Sequence, residues 1–295
     1  LRYSLATRER VLRTAQTLGY RPNRTARNVR RGRHGHVGVL VGDINYVPPL
    51  ELQLMIEAAR ERDWLLTIEH VVAGQGAPIL AREDCVDGLL VFQTMDRALL
   101  RQIAHTRVPL VQINTNNRRG IGSITYDEEG AIEQIAARLA HNGRRYPGLI
   151  VGARTPPHYS DRVRATTLRN AARRHGLAPP RVGYASEAMS AYRQCSALLA
   201  AQPALDAMIV HAGALVPGVY RAVYETGRSI AKDVDVISFF ADASTIALWP
   251  RPTILQVDAC ALVHKAFVVL DEMIAGRRAV TPLSLPYTLV SGDSM

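Results

Sequence analysis

Runs of almost unbroken apolar residues recur along this chain: His36 to Val41 (HVGVLV), Val86 to Phe92 (VDGLLVF), Val108 to Ile113, Leu149 to Val151, Ala207 to Val210 and Val234 to Ser238. A strand with one wet face alternates apolar and polar side chains, whereas a run without alternation is buried on both faces. Helical patterns separate the runs. The helix read over Leu50 to Glu61 is expected to bury Leu50, Leu54, Met55, Ile56 and Ala58. Further helices are read over Ile79 to Glu83, Arg97 to His105, Glu128 to Asn142 behind an Asp127 cap, Arg162 to His175, Ala188 to Ala201, Leu215 to Thr226 and Ala261 to Ala275. Strands at Leu65 to Val72, Ile121 to Thr125, Arg181 to Tyr184, Thr253 to Val257 and Leu283 to Leu289 complete the alternation. Repeated β-α units with buried strands imply an α/β fold, with helices on both faces of a parallel sheet. The pattern restarts after Asn142, which implies two such doubly wound lobes.

A different kind of segment precedes them. Leu1 to His36 holds ten arginines against one acid, Glu9, and so carries +9 of the formal net charge of +10. The remaining residues, 26 bases against 25 acids, are near neutral. Clustered cations suit a polyanion, because phosphates bind them by releasing condensed counterions. Val11, Leu12, Ala15 and Leu18 share one helical face behind Ser4, which is placed as an N-cap, so this helix is expected to pack on something. Gly19 is placed as a C-cap and Pro22 forbids continuation. Asn23 then caps a second basic helix, Arg24 to Arg31, too short and self-repelling to persist unless an anion such as DNA orders it.

The run Ser4 to Val11, then Leu18-Gly19-Tyr20-Arg21-Pro22-Asn23, then Ala26-Arg27-Asn28-Val29-Arg30 resembles the third headpiece helix and hinge helix of the lactose-repressor family of bacterial transcription regulators. The resemblance implies double-stranded operator DNA as partner, with Arg8, Tyr20, Asn23, Arg24, Ala26, Arg27, Val29, Arg30 and Arg31 as the DNA-facing set. It also implies a homodimer in which two hinge helices meet in the minor groove. Val29 stands where the family has a wedging leucine, which predicts a weaker kink. The family's first two helices are expected upstream of Leu1, so the chain reads as a fragment that binds DNA weakly.

Through the body, Asp43, Val86-Asp87-Gly88-Leu89-Leu90, Asp127, Asn142-Gly143-Arg144-Arg145 and Asp206-Ala207 stand where similar family residues stand. The implied architecture is the type-I periplasmic-binding-protein fold behind a partial all-α headpiece. Its divisions are residues 1–35 for the head, 36–142 with 257–279 for the first lobe and 143–256 with 280–295 for the second. Crossovers are then expected near Asn142, Val257 and Ala279. In such sheets a ligand lies beyond the carboxyl ends of the strands. That places Asp43, Tyr46, Asp127, Arg154, Arg162, His211, Phe240 and Asp242 at a cleft between lobes.

Several pocket positions depart from the family: Pro48-Pro49, Ala212-Gly213 and Ser238-Phe239-Phe240-Ala241 replace groups that usually hold sugar hydroxyls. The loss of hydroxyl partners makes a neutral sugar a poor fit. Arg162, in place of the family's ligand-binding arginine, and Arg154 suggest a carboxylate instead. The Gly152-Ala153-Arg154 loop and the Ser291 to Met295 tail resemble the gluconate-repressor branch, which points to a sugar acid.

Enzyme motifs are missing: there is no Gly-x-Ser-x-Gly, no Gly-x-x-x-x-Gly-Lys and no His-Glu-x-x-His, and no cofactor or metal is expected. Cys85, Cys195 and Cys260 read as small buried hydrophobes. No run of about 18 apolar residues exists to span a membrane, and the arginine-rich start lacks an apolar secretion core, so the expected location is the cytoplasm. The competing reading is a solute-binding protein of the same fold without DNA function, which the cationic head disfavours. An α/β hydrolase is a more distant one.

Overall fold

The structure, a computed structural model, describes residues 4–20, 32–42, 49–72, 76–92, 101–103, 105–114, 122–153, 158–277 and 283–295. It contains two six-stranded sheets. The first has the order β11-β5-β4-β3-β1-β2, with β1 (His36–Val41), β2 (Leu65–His70), β3 (Gly88–Phe92), β4 (Leu110–Ile113), β5 (Gly122–Tyr126) and β11 (Leu283–Leu285) all parallel. The second repeats the order as β12-β10-β9-β8-β6-β7, from β6 (Pro147–Gly152), β7 (Arg181–Ala185), β8 (Ala207–Val210), β9 (Asp235–Phe239), β10 (Thr253–Gln256) and β12 (Thr288–Val290). Only β12 runs antiparallel, against β10. Apolar runs became central strands: β1, β3, β4, β6, β8 and β9 are buried almost throughout, while the edge strands β2 and β7 are half open.

The order switches direction between β1 and β3 in one lobe and between β6 and β8 in the other, and such switch points open the crevices that bind ligands. Helices cover the sheets: α2 (Pro49–Glu61), the short α3 (Ile79–Arg82), α4 (Glu128–His141), α5 (Tyr159–Arg174), α6 (Ala188–Ala201), α7 (Val216–Glu225), the short α8 (Ala243–Ile246) and α9 (Ala259–Ile274). One apolar cluster, from Val37 and Ile124 through Tyr287 to Ile209 and Phe239, runs from lobe to lobe. Helix α9 belongs to the first lobe, where Phe267 stacks on Trp64 at 6.3 Å and Asp271 pairs with Arg62 at 2.9 Å.

Three expectations change. Leu283 to Leu289 is not one strand: Pro286 has no N–H to offer, so β11 ends in the first sheet and β12 begins in the second. The last crossing therefore lies at Pro286-Tyr287, later than Ala279. In α2 the buried positions are Glu51, Met55 and Ala59, while Leu50 and Ile56 face outward. Cys195 is buried as expected, but Cys85 is half-buried and Cys260 exposed. The tail is fixed by Ser294, whose hydroxyl accepts from Thr253 N (2.8 Å) and donates to Val236 O (2.5 Å), lacing β10 to β9. A Cβ at Gly292 would come within 2.3 Å of the Arg251 and Pro252 carbonyl oxygens, so only glycine fits.

Ahead of the body stands α1 (Leu5–Thr17), capped by the Ser4 hydroxyl, which accepts from Thr7 N at 3.2 Å. Gly19 ends it with a φ of 66°. Its apolar positions Val11, Leu12 and Leu18 are exposed, so among the described residues nothing covers the face that was expected to pack. Where the chain enters β1, the Asp87 carboxylate accepts from three successive backbone N–H groups, His34 (2.9 Å), Gly35 (2.6 Å) and His36 (3.2 Å).

Candidate binding cleft

Two helices meet where the lobes join. Helix α4 closes the first lobe, and its N-cap is Asp127, which accepts from Gly130 N at 2.9 Å as the sequence suggested. Asp127 itself is exposed, and the next residue, Glu128, turns inward and is 2% exposed. Helix α5 opens the second lobe after β6. Asp161, Arg164 and Leu168 follow one another at helical spacing and are buried, whereas Arg162, about 100° around the helix from Asp161, faces solvent.

Arg164, 1% exposed, is the centre of the junction. Its Nε donates to Glu128 Oε2 at 2.6 Å and its Nη2 to Glu128 Oε1 at 3.0 Å, a two-pronged pair across the lobes. Nη2 also donates to the Tyr287 hydroxyl (3.0 Å), which in turn donates to Glu128 Oε1 (3.0 Å). The guanidinium lies 3.7 Å from the Phe239 ring centroid. Burial works against its charge, but Glu128, Tyr287 and Asp161 together outweigh that and raise its pKa. Burial likewise pushes the Tyr287 and Tyr126 hydroxyls well above the usual range.

Aromatic rings line the same seam. Tyr287 stands against Phe239 at 5.2 Å, Phe240 at 5.7 Å and Tyr126 at 5.8 Å, and Tyr126 meets Phe240 at 5.9 Å. Tyr159 donates to Asn114 Oδ1 at 3.3 Å, a second bridge between lobes. Glu51, buried at the start of α2, has its carboxyl pKa raised by burial. On the other side, His211 follows β8 at the switch point. Its Nδ1 lies 2.9 Å from Asp161 Oδ1 and 2.8 Å from Arg164 Nη1. For Asp161, burial raises the pKa, but His211, Arg164 and His158 outweigh it and hold the carboxyl below its ordinary value.

Of the expected cleft residues, His211 and Phe240 lie at this junction. Asp242 serves as the N-cap of α8, its Oδ1 accepting from Ser244 Oγ (2.6 Å), Thr245 Oγ1 (2.7 Å) and Thr245 N (2.8 Å). In the head, Arg8 and Tyr20 are exposed. Asn23, Arg24, Ala26, Arg27, Val29, Arg30, Arg31, Asp43, Tyr46 and Arg154 lie outside the described residues. Sequence reading missed Glu51, Glu128, Asp161, Arg164 and Tyr287. For Asp161 and Arg164 the signal was available: they share the face that Leu168, Ala171 and Ala172 define.

Residues 136–295 match the family model described as a periplasmic binding protein-like domain. The chain belongs to that family. It is 23% identical over 299 residues to the lactose operon repressor of Escherichia coli (strain K12), covering 97% of this chain and 82% of that one. With catabolite control protein A of Priestia megaterium it shares 25% identity over 268 residues, 85% of this chain and 78% of the other. The fold is that of the Lac repressor bound to ONPG in its repressed state, at a TM-score of 0.86 and 20% identity, covering 100% of this chain and 92% of that one. The transcriptional regulator CelR in its cellobiose complex gives 0.76 and 22%, with the same coverage. Among the described residues, no helix is long and apolar enough to cross a membrane.

Proposed function

We propose that this chain is a DNA-binding transcriptional regulator, a repressor, that works as a homodimer and answers to a small polar effector held between its lobes. The observation that carries the reading is the Arg164–Glu128–Tyr287 bridge, which ties the two lobes together at the crevice where such folds take ligands. A ligand entering this seam competes with or reinforces the bridge and so changes the angle between the lobes. Residues 23–31, between the basic helix α1 and the body, would convert that angle into seating or release of two hinges on DNA. Relatives named as a lactose operon repressor and as a regulator in complex with cellobiose support an operon-control role. The sugar-acid expectation finds no support in Arg162, which is exposed and not among the buried residues of the junction.

The test is fluorescence anisotropy of the chain with fragments of the DNA upstream of its own operon, across a salt series. One fragment should be preferred, with affinity falling steeply as salt rises. Replacing Arg24, Arg27, Arg30 and Arg31 with glutamine removes eight arginines from the dimer and should flatten that slope by up to roughly 7. If no fragment binds above background, the solute-binding reading takes over.

A further inference from the structure

Beyond the carboxyl end of β6 the second lobe holds a buried carboxylate whose charge His211, Arg164 and His158 favour but whose oxygens lack a well-formed hydrogen bond among the described residues. Asp161 is 3% exposed, and neither carboxylate oxygen accepts a hydrogen bond of sound geometry among the described residues. His211 Nδ1 is close to Oδ1, but the same nitrogen is 2.8 Å from Arg164 Nη1. A ring nitrogen carries a proton or a lone pair, not both. When Nδ1 accepts from Arg164, Asp161 has no donor among the described residues; when it serves Asp161, a guanidinium N–H faces an imidazole N–H. Arg164 cannot turn to help, because Glu128 holds Nε and Nη2 and Phe239 lies against the guanidinium. Among the described residues the set is one donor short.

The charges and the backbone beside them bear on this. Glu128 and Asp161 are buried carboxylates of the described junction, and Arg164, its one buried guanidinium among the described residues, is paired with Glu128. Gly152 lies directly beside Asp161: a Cβ there would come within 3.1 Å of Oδ2 and 3.6 Å of His211 Nε2. An ionised carboxylate without a donor is costly to bury, and a ligand that brings the donor removes the cost.

We propose that the cleft takes a small molecule bearing an ammonium group, which docks on Asp161 and leaves His211 Nδ1 to accept from Arg164. This deepens the regulator reading and rests on it. A carboxylate ligand would meet Asp161 and Glu128 as like charges, and an uncharged polyol would leave the local charge uncompensated. An amine fits better than a metal ion, since no group of three or more His, Cys, Asp or Glu side chains among the described residues could hold one.

The experiment is calorimetric titration and thermal melting of the chain with glucosamine, putrescine, glucose and gluconate, repeated with Asp161→Asn. An amine should bind and raise Tm while glucose and gluconate do not, and Asp161→Asn should weaken amine binding roughly 10- to 100-fold, the range of one charge-assisted contact. The unliganded variant should melt at or above the parent. The inference is overturned if neither amine binds, if gluconate stabilises equally, or if unliganded Asp161→Asn melts well below the parent. In that last case, a matching loss in Arg154→Gln would identify an internal ion pair. DNA binding by the same preparation separates the two readings. A chain that binds DNA but no amine loses the inference alone, and one that binds an amine but no DNA loses the regulator reading.

Discussion

Helices α1 and α9 carry similar amphipathic patterns and treat them in opposite ways. In α9 the apolar face Leu262, Val263, Ala266, Phe267, Val269 and Leu270 disappears into the core. In α1 Val11 and Leu12 stay open, and Leu18 beyond its end is 77% exposed. Periodicity says which face wants cover; it does not say whether the cover is within reach. Charge divides the molecule in the same place, with +9 in the first 36 residues and near neutrality after them. Among the described residues the head is thus a charged helix with an open apolar face, and the body is a packed scaffold whose bases and acids nearly balance. Asp87 is where the two are joined, through three backbone N–H groups.

The largest effect is expected at the lobe junction. Arg164→Leu leaves Glu128 buried without its partner and should cost about 3 to 5 kcal/mol of body stability. Adding Glu128→Leu should recover most of that, as read by denaturant unfolding. If the single variant is neutral, the bridge does not hold the lobes. Asp87→Ala should cost less, about 2 kcal/mol, by stranding three donors at the entry to β1, and hydrogen exchange at Gly35 and His36 should quicken.

Smaller still is the pH effect of Glu51. Burial raises its folded pKa, so the folded state prefers the neutral carboxyl. The penalty is full above the folded pKa and vanishes as pH falls below the unfolded value. Glu51→Gln should therefore be the more stable protein at about pH 7, with the advantage gone by about pH 4. An advantage that grows on acidification would reverse the assignment. The smallest effect belongs to the head: Val11→Gln with Leu12→Gln should leave the body's unfolding midpoint unchanged to within about 0.5 kcal/mol. A larger loss would show that the face is covered after all.

Much of the body was legible because buried parallel strands announce themselves. Ala188–Ala201 and Ala207–Val210 fall where the pattern put them, and β1 matches His36 to Val41. What misled was register. The helix read from Arg162 begins at Tyr159, with His158 as its cap, so the turn that carries Asp161 was left out and the buried arginine was taken two residues early. The Asp127 assignment missed by one in the same way: the capping residue was legible, but the inward carboxylate was its neighbour Glu128. Tyr287 could not be found by pattern, since its importance comes from Pro286 throwing the chain from one sheet to the other.

On the proposed function, the lobe junction governs the head. Tyr287→Phe removes one hydroxyl from the bridge between Arg164 and Glu128 while keeping the ring among Phe239, Phe240 and Tyr126. The direct measurement is operator affinity of this variant against the parent, well below both melting points and across the same salt series. Coupling predicts an affinity changed roughly 5-fold or more with an unaltered salt slope, because the phosphate contacts are the same. Equal affinities in parent and variant would contradict it, leaving the head and body as neighbours on one chain without communication.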